Sequence, residues 1–274
     1  MIRLAVRCRA ELAERVLADL LELVPGGVEE EQGDGWVEYA VYGPPGEIPT
    51  VPALEAAASD GLVEISSTEI PDDWADRWRD FHEPVSIGAG RMVVRPSWER
   101  GAAQTGDAVD IVVDPGQAFG TGAHATTSLC LELLLELADE GGAEGRLVDL
   151  GTGSGVLAIA AAKLGWSPVL GCDNERAAIE AAGANAAANG VGIELERLNL
   201  RERAAPWAPT MVANLTAPLL ESVAGRLGNP PRTLVCSGLL AGEQERVEAA
   251  LAVAGLKVAE RRQRGDWAAL LARS

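Results

Sequence analysis

The stretch VDLGTGSGVLAIAAAKLG, residues 148–165, predicts a strand, a glycine-rich turn and a helix. An apolar run ends at Leu150, glycines occupy alternate positions from Gly151 to Gly155, and small apolar residues follow with helical spacing. Glycines let the backbone turn sharply and let a ligand approach closely. Val156 stands where the dinucleotide fingerprint needs its third glycine, and no Gly-Lys-Ser/Thr follows, so that fingerprint is incomplete and a P-loop is excluded.

Short apolar runs alternate with helical segments around this turn, which predicts a parallel sheet covered by helices on both faces. The last two segments, LKVAERRQRG and DWAALLAR, have no helix between them and predict an antiparallel hairpin that closes the sheet. The strands predicted before that hairpin are 146–150, 168–173, 193–199, 210–215 and 232–238.

Two polar residues end other predicted strands at the same edge as the glycine turn, Asp173 within GCDNE and Asn214 within VANLTAP. Ligands of open α/β sheets bind at the carboxyl edge, and a carboxylate about 20 residues beyond the glycine turn can accept ribose hydroxyls. A nucleoside ligand without phosphates would explain the missing phosphate-binding lysine. S-adenosylmethionine is such a ligand, and the sequence predicts it as the cofactor.

The segment before the sheet predicts a second, smaller domain. Residues 1–68 have the order β-α-β-β-α-β, which predicts a ferredoxin-like α+β domain. It contains no catalytic constellation, so we expect it to recognise the substrate, although a purely structural role stays open. Residues 69–84 predict a linker helix, and residues 85–274 form the predicted catalytic domain.

The chain of 274 residues carries 23 Lys and Arg against 41 Asp and Glu, a net charge of −18. This charge disfavours direct nucleic-acid binding and suits a basic partner. Cys8, Cys130, Cys172 and Cys236 are far apart, which argues against a zinc site or disulfides and predicts reduced thiols in the cytoplasm. No apolar stretch approaches the roughly 20 residues that span a bilayer, so no membrane association is expected. The absence of a coiled coil or a long apolar stripe favours a monomer.

A second glycine-rich stretch, DPGQAFGTGAHATTSLCL at 114–131, is the most specific motif of the chain. From about Asp72 onward, the sequence resembles the ribosomal protein L-eleven methyltransferases, a family of class I S-adenosylmethionine-dependent enzymes. Ala125 stands where that family commonly has proline, and Thr216 lies inside the asparagine motif. The other matching blocks are WADRWRDFHEPVSIG, VVRPSW, VDLGTGSGVLAIAAAKLG, GCDNERA, NAAANGV and VANLTAPLL.

The resemblance implies an α/β fold, a Rossmann-like class I methyltransferase sheet with a small N-terminal ferredoxin-like α+β domain. By the same resemblance, Thr127 would hold the methionine carboxylate, Asp173 the ribose hydroxyls, and Asn214 would accept a hydrogen bond from the incoming amine as the catalytic residue. His124 would serve either as a base or, as we expect, through a hydrogen bond that holds the loop. The implied cofactor contacts are Thr127, Gly151, Gly153, Asp173 and Asn214, with Phe119 and His124 in a loop that covers the cofactor.

The expected function is methyl transfer to lysine ε-amino and/or N-terminal α-amino groups of ribosomal protein L-eleven, either free or ribosome-bound. A methyltransferase of glutamine amides or adenine is an alternative, but NLTAP lacks the second proline and the aromatic residue of such sites. A nucleotide-dependent oxidoreductase would need the incomplete fingerprint to bind its cofactor. A noncatalytic cofactor-binding module is disfavoured by the intact Asn214 edge.

Overall fold

The computed structural model describes residues 2–13, 16–17, 20, 29–33, 35–43, 58, 62–69, 83–99, 108–114 and 124–274. The chain divides into two compact units, Met1–Phe81 and His82–Ser274. This division falls inside the segment predicted as a linker, most of which lies outside the described residues. Within the described part, no helix is long and apolar enough to cross a membrane.

The described part of the first unit contains one antiparallel sheet with the strand order β2-β3-β1-β4. Strand β3 lies between β1 and β2, as a split βαβ unit requires. The two predicted helices, 11–24 and 52–61, lie largely outside the described residues. The strands are β1 (Ile2–Arg9), β2 (Glu29–Gly33), β3 (Trp36–Gly43) and β4 (Val63–Glu69), and a 3-10 turn spans Ala10–Leu12.

The second unit is built on the predicted parallel sheet, seven strands in the order β10-β9-β8-β11-β12-β14-β13. Strands β8 to β12 run parallel, and the last two form the predicted antiparallel hairpin. These strands are β8 (Leu147–Leu150), β9 (Val169–Asp173), β10 (Glu194–Arg197), β11 (Thr210–Asn214), β12 (Thr233–Leu240), β13 (Lys257–Arg264) and β14 (Trp267–Arg273).

Helices cover both faces of this sheet. Because successive strand residues point to opposite faces, Val212 of β11 packs in one core cluster while Met211 and Ala213 pack in another. The first cluster includes α1 and α2, and the second includes α4 and α5. The helices are α1 (Ala125–Asp139), α2 (Val156–Leu164), α3 (Arg176–Ala188), α4 (Ala217–Ala224) and α5 (Gln244–Val253), with a 3-10 turn at Ala241–Glu243.

A separate three-stranded sheet precedes α1, and the sequence reasoning did not predict it as a separate sheet. It consists of β5 (Val85–Ile87), β6 (Met92–Arg95) and β7 (Val109–Val112). Strand β6 pairs antiparallel with β5 and parallel with β7. Buried residues of all three strands of this sheet pack in the same core cluster as α1 and α2. The sheet therefore leads the chain to Asp114, where the DPGQAFGTG segment begins.

Candidate active site

The glycine-rich turn connects β8 to α2 at the carboxyl edge of the sheet. Gly151, Gly153 and Gly155 all have left-handed backbone angles, with φ of 72°, 52° and 84°. At Gly151 an added Cβ would lie only 2.4 Å from Cδ2 of Leu215, so a larger residue cannot be accommodated there without displacing Leu215. The N–H of Gly151 donates to the carbonyl of Cys172 at 2.8 Å, which ties the turn to the end of β9.

Asp173, at the end of β9, holds the same turn through its carboxylate. Oδ2 accepts from the N–H of Gly153 at 2.9 Å, and Oδ1 accepts from the N–H of Glu175 at 3.1 Å. The structure thus brings Gly151, Gly153 and Asp173 together, as the sequence predicted. Each carboxylate oxygen has a further lone pair with which to accept a hydroxyl.

A second carboxylate, Asp149 in β8, is fully buried beneath the turn. Its Oδ2 accepts from the Thr152 hydroxyl at 2.7 Å. Burial raises the pKa of Asp149 to about 7, although the hydrogen bonds from the Thr152 hydroxyl and the Ala158 backbone act in the opposite direction. The sequence analysis gave this residue no role, and the available signal was an acid inside an otherwise apolar strand.

Asn214 and Thr127 are far apart in the sequence and meet in the fold. Nδ2 of Asn214, at the end of β11, donates to Oγ1 of Thr127 at 3.2 Å. Thr127 is fully buried in the first turn of α1, which begins at Ala125. The hydrogen bond orients the amide of Asn214, and no residue in the described part of the chain donates to its Oδ1.

A bulge in the neighbouring strand β12 supports the segment around Asn214. The register shifts between Ser237 and Leu239, and the N–H of Leu215 donates to the carbonyl of Ser237 at 3.0 Å. Gly238 has a φ of 88°, and an added Cβ would lie 2.4 Å from the carbonyl oxygen of Leu215. Only glycine fits this close backbone contact. The sequence analysis did not identify Gly238.

His124 is the N-cap of α1. Its Nδ1 accepts from the N–H of Thr126 at 3.4 Å and lies 2.8 Å from Oγ1 of that residue. The imidazole packs edge-on against Trp267, with ring centroids 4.8 Å apart. Burial lowers the pKa of His124, which favours the neutral form that can accept in a cap. Phe119, the other residue of the predicted covering loop, lies outside the described residues.

The residues present fit S-adenosylmethionine. Gly151 and Gly153 form the left-handed turn after β8, Asp173 supplies carboxylate acceptors at the end of β9, and Asn214 and Thr127 supply polar atoms beside β11 on the other side of β8. The four cysteines are buried and free of disulfides.

An open, mainly parallel sheet with this glycine turn and these polar strand ends is the fold and site of a class I S-adenosylmethionine-dependent methyltransferase. The family model of "Ribosomal protein L11 methyltransferase (PrmA)" matches residues 50–274. The chain belongs to the ribosomal protein L11 methyltransferase family.

Individual relatives agree with this assignment. Proteins named "Ribosomal protein L11 methyltransferase" from Pelotomaculum thermopropionicum and Symbiobacterium thermophilum are 43% identical over 208 residues and 37% identical over 262 residues. These alignments cover 74% and 93% of this chain, and 66% and 84% of the relatives, so the first spans just under two thirds of its relative. A crystal structure of a ribosomal protein L11 methylase from Lactobacillus delbrueckii subsp. bulgaricus is 31% identical, with a TM-score of 0.62, covering 70% of this chain and 99% of that chain.

Proposed function

We propose that this protein transfers methyl groups from S-adenosylmethionine to lysine ε-amino and/or N-terminal α-amino groups of large-subunit ribosomal protein L11. Membership of the family supports the substrate. The observation that carries the chemistry is the hydrogen bond from Asn214 to Thr127 beside the glycine turn. It joins the residue proposed to orient the amine to a residue proposed to hold the cofactor.

The cofactor site is formed by three elements. Asp173 accepts the ribose hydroxyls, and the backbone of Gly151 and Gly153 lies against the methionine and ribose part. The hydroxyl of Thr127 and nearby amides in the first turn of α1 hold the methionine carboxylate, which the positive end of the helix favours.

S-adenosylmethionine supplies a methyl group on a sulfonium, which a nucleophile displaces in line. The protein aligns the reactants and excludes water. The nucleophile must be a neutral amine, whereas a free lysine has a pKa of ~10.4 and is protonated at neutral pH. Oδ1 of Asn214 and the backbone carbonyls of 214–217 accept hydrogen bonds from the amine, so that its lone pair points at the methyl group. Loss of water around the amine lowers its pKa.

Substrate recognition is assigned to residues 1–68, with 69–84 as the linker and 85–274 as the catalytic domain. The net charge of −18 suits a basic protein substrate and disfavours direct contact with nucleic acid. We propose that the enzyme acts in the cytoplasm as a monomer, on L11 that is free or ribosome-bound.

The test is to incubate the purified protein with S-adenosylmethionine and L11 and to measure the intact mass of L11. We expect increments of one methyl group, absent with Asp173→Ala, and fragment spectra then locate the modified amines. If L11 gains no mass although the protein binds the cofactor by calorimetry, then L11 is not its substrate.

Asn214→Ala tests the role of the amide in the same assay. We expect turnover to fall about 100-fold while cofactor affinity changes little, because the amine loses its orientation. The matched control is Asn229→Ala, at an exposed asparagine outside the site. Full turnover by Asn214→Ala would refute the positioning of the amine by this side chain.

A further inference from the structure

The NAAANGV segment, residues 185–191, contains two asparagines one helical turn apart for which the proposed function has no role. Asn185 lies in the last turn of α3, and Asn189 is the C-cap residue of that helix. Asn185 is buried, with 6% of its surface exposed. A buried amide without hydrogen bonds is costly, so its partners indicate its function.

Asn185 joins the two glycine-rich segments of the chain. Its Nδ2 donates to the backbone carbonyl of Ser154 at 2.8 Å, inside the turn between β8 and α2. Its Oδ1 accepts from the backbone N–H of Asp114 at 3.3 Å, where the DPGQAFGTG segment begins. A single side chain therefore contacts the glycine turn of the proposed cofactor site and the backbone of Asp114.

Asn189 makes bonds of the same kind but contacts only one of these regions. Its Oδ1 accepts from the N–H of Val112 at 2.9 Å, and its Nδ2 donates to the carbonyl of Val112 at 2.6 Å. Its Nδ2 also donates to the carbonyl of Asn185 at 2.8 Å. Asn189 thus fastens the end of β7 to α3, with no hydrogen bond to the glycine turn among the described residues.

We propose that Asn185 is a positioning residue for the cofactor, because it holds the glycine turn and the start of the DPGQAFGTG segment at a set separation. The primary amide suits this role, since it carries one donor and one acceptor on the same short side chain. Removing it leaves the Ser154 carbonyl and the Asp114 N–H without this partner and frees the two segments to separate. The inference rests on the proposed cofactor binding but not on L11 as the substrate.

The experiment compares Asn185→Leu with Asn189→Leu in the full chain. Both substitutions keep a branched side chain and remove both hydrogen-bonding atoms. We expect Asn185→Leu to raise the Kd for S-adenosylmethionine, and its KM, about tenfold, with kcat at saturating cofactor within about twofold of wild type. For Asn189→Leu we expect a comparable fall in thermal midpoint with the Kd within about twofold of wild type.

A second variant keeps the proposal testable if Asn185→Leu does not fold. Asn185→Asp retains the branched shape and an acceptor for Asp114, but an ionised carboxylate cannot donate to Ser154. We expect it to weaken cofactor binding as well.

Equal cofactor affinity in the Asn185 and Asn189 variants would overturn the proposal and leave Asn185 with a structural role only. Wild-type protein that binds the cofactor but does not methylate L11 would refute the proposed substrate and leave this comparison valid. Wild-type protein that does not bind the cofactor would overturn both.

Discussion

Asp149 has a pKa far from the ordinary value of an aspartate. Burial raises its pKa from 3.8 to about 7. At pH values between 3.8 and about 7, the Asp149 carboxyl is protonated in the folded protein and ionised in the unfolded chain. The contribution of Asp149 to stability is therefore present at low pH and is lost as the pH rises through this window.

Asp149→Asn removes this dependence, because an amide does not titrate in the range. We expect the free energy of unfolding of wild type, relative to the variant, to fall by a few kcal/mol between about pH 4 and about pH 7. Urea unfolding of both proteins across this range measures the difference. Identical pH profiles would show that folding does not raise the pKa of Asp149.

His124 provides the second test at the residue scale. In the structure it caps α1, and asparagine is among the side chains preferred at an N-cap. We expect His124→Asn to retain most of the turnover and stability, whereas His124→Ala loses about 1 kcal/mol of stability. Turnover and urea unfolding measure both effects. A fall of about 100-fold in kcat for His124→Asn, with unchanged cofactor affinity, would instead identify a base.

At the scale of the element, the bulge in β12 determines where the loop after β11 lies. Gly238→Ala places a Cβ against the backbone of Leu215 in a left-handed conformation. We expect a loss of roughly 2–4 kcal/mol of stability and about 100-fold in turnover, because Asn214 is displaced. Urea unfolding and the L11 methylation assay measure these losses.

Gly242→Ala is the matched control, since nothing lies within 4 Å of a Cβ added there. It should leave turnover and stability close to wild type. If Gly238→Ala behaves like this control, the bulge does not position Asn214.

The elements differ in how far the sequence could predict them. The strands of the parallel sheet alternate with helical segments, the closing hairpin follows them, and both occur at the positions that this pattern predicts. Strands β5, β6 and β7 have three or four residues each and lie before the alternating strands and helices that begin at residue 146, so this pattern does not identify them as a sheet.

At the scale of the whole molecule, the two units have separate cores, and all cofactor contacts proposed here belong to the second unit. A ligand stabilises the part of a protein that binds it. We expect calorimetry to resolve two unfolding transitions, with S-adenosylmethionine raising only the midpoint of the one that belongs to residues 82–274. Asp173→Ala should abolish the shift, and a single transition that the cofactor shifts as a whole would show that the units unfold together.

The order of strands and helices in the parallel sheet, the glycine turn at its carboxyl edge and the family resemblance can all be read from the amino-acid sequence. These features depend on residues that are close along the chain, where hydrophobic period and turn chemistry are readable. Three properties are visible only in the folded chain: Asn214 bonds Thr127, Asn185 bonds both Ser154 and Asp114, and Asp149 is buried enough to hold a proton. Those properties arise when elements distant in sequence pack together, because hydrogen bonding and desolvation depend on which groups become neighbours in the fold.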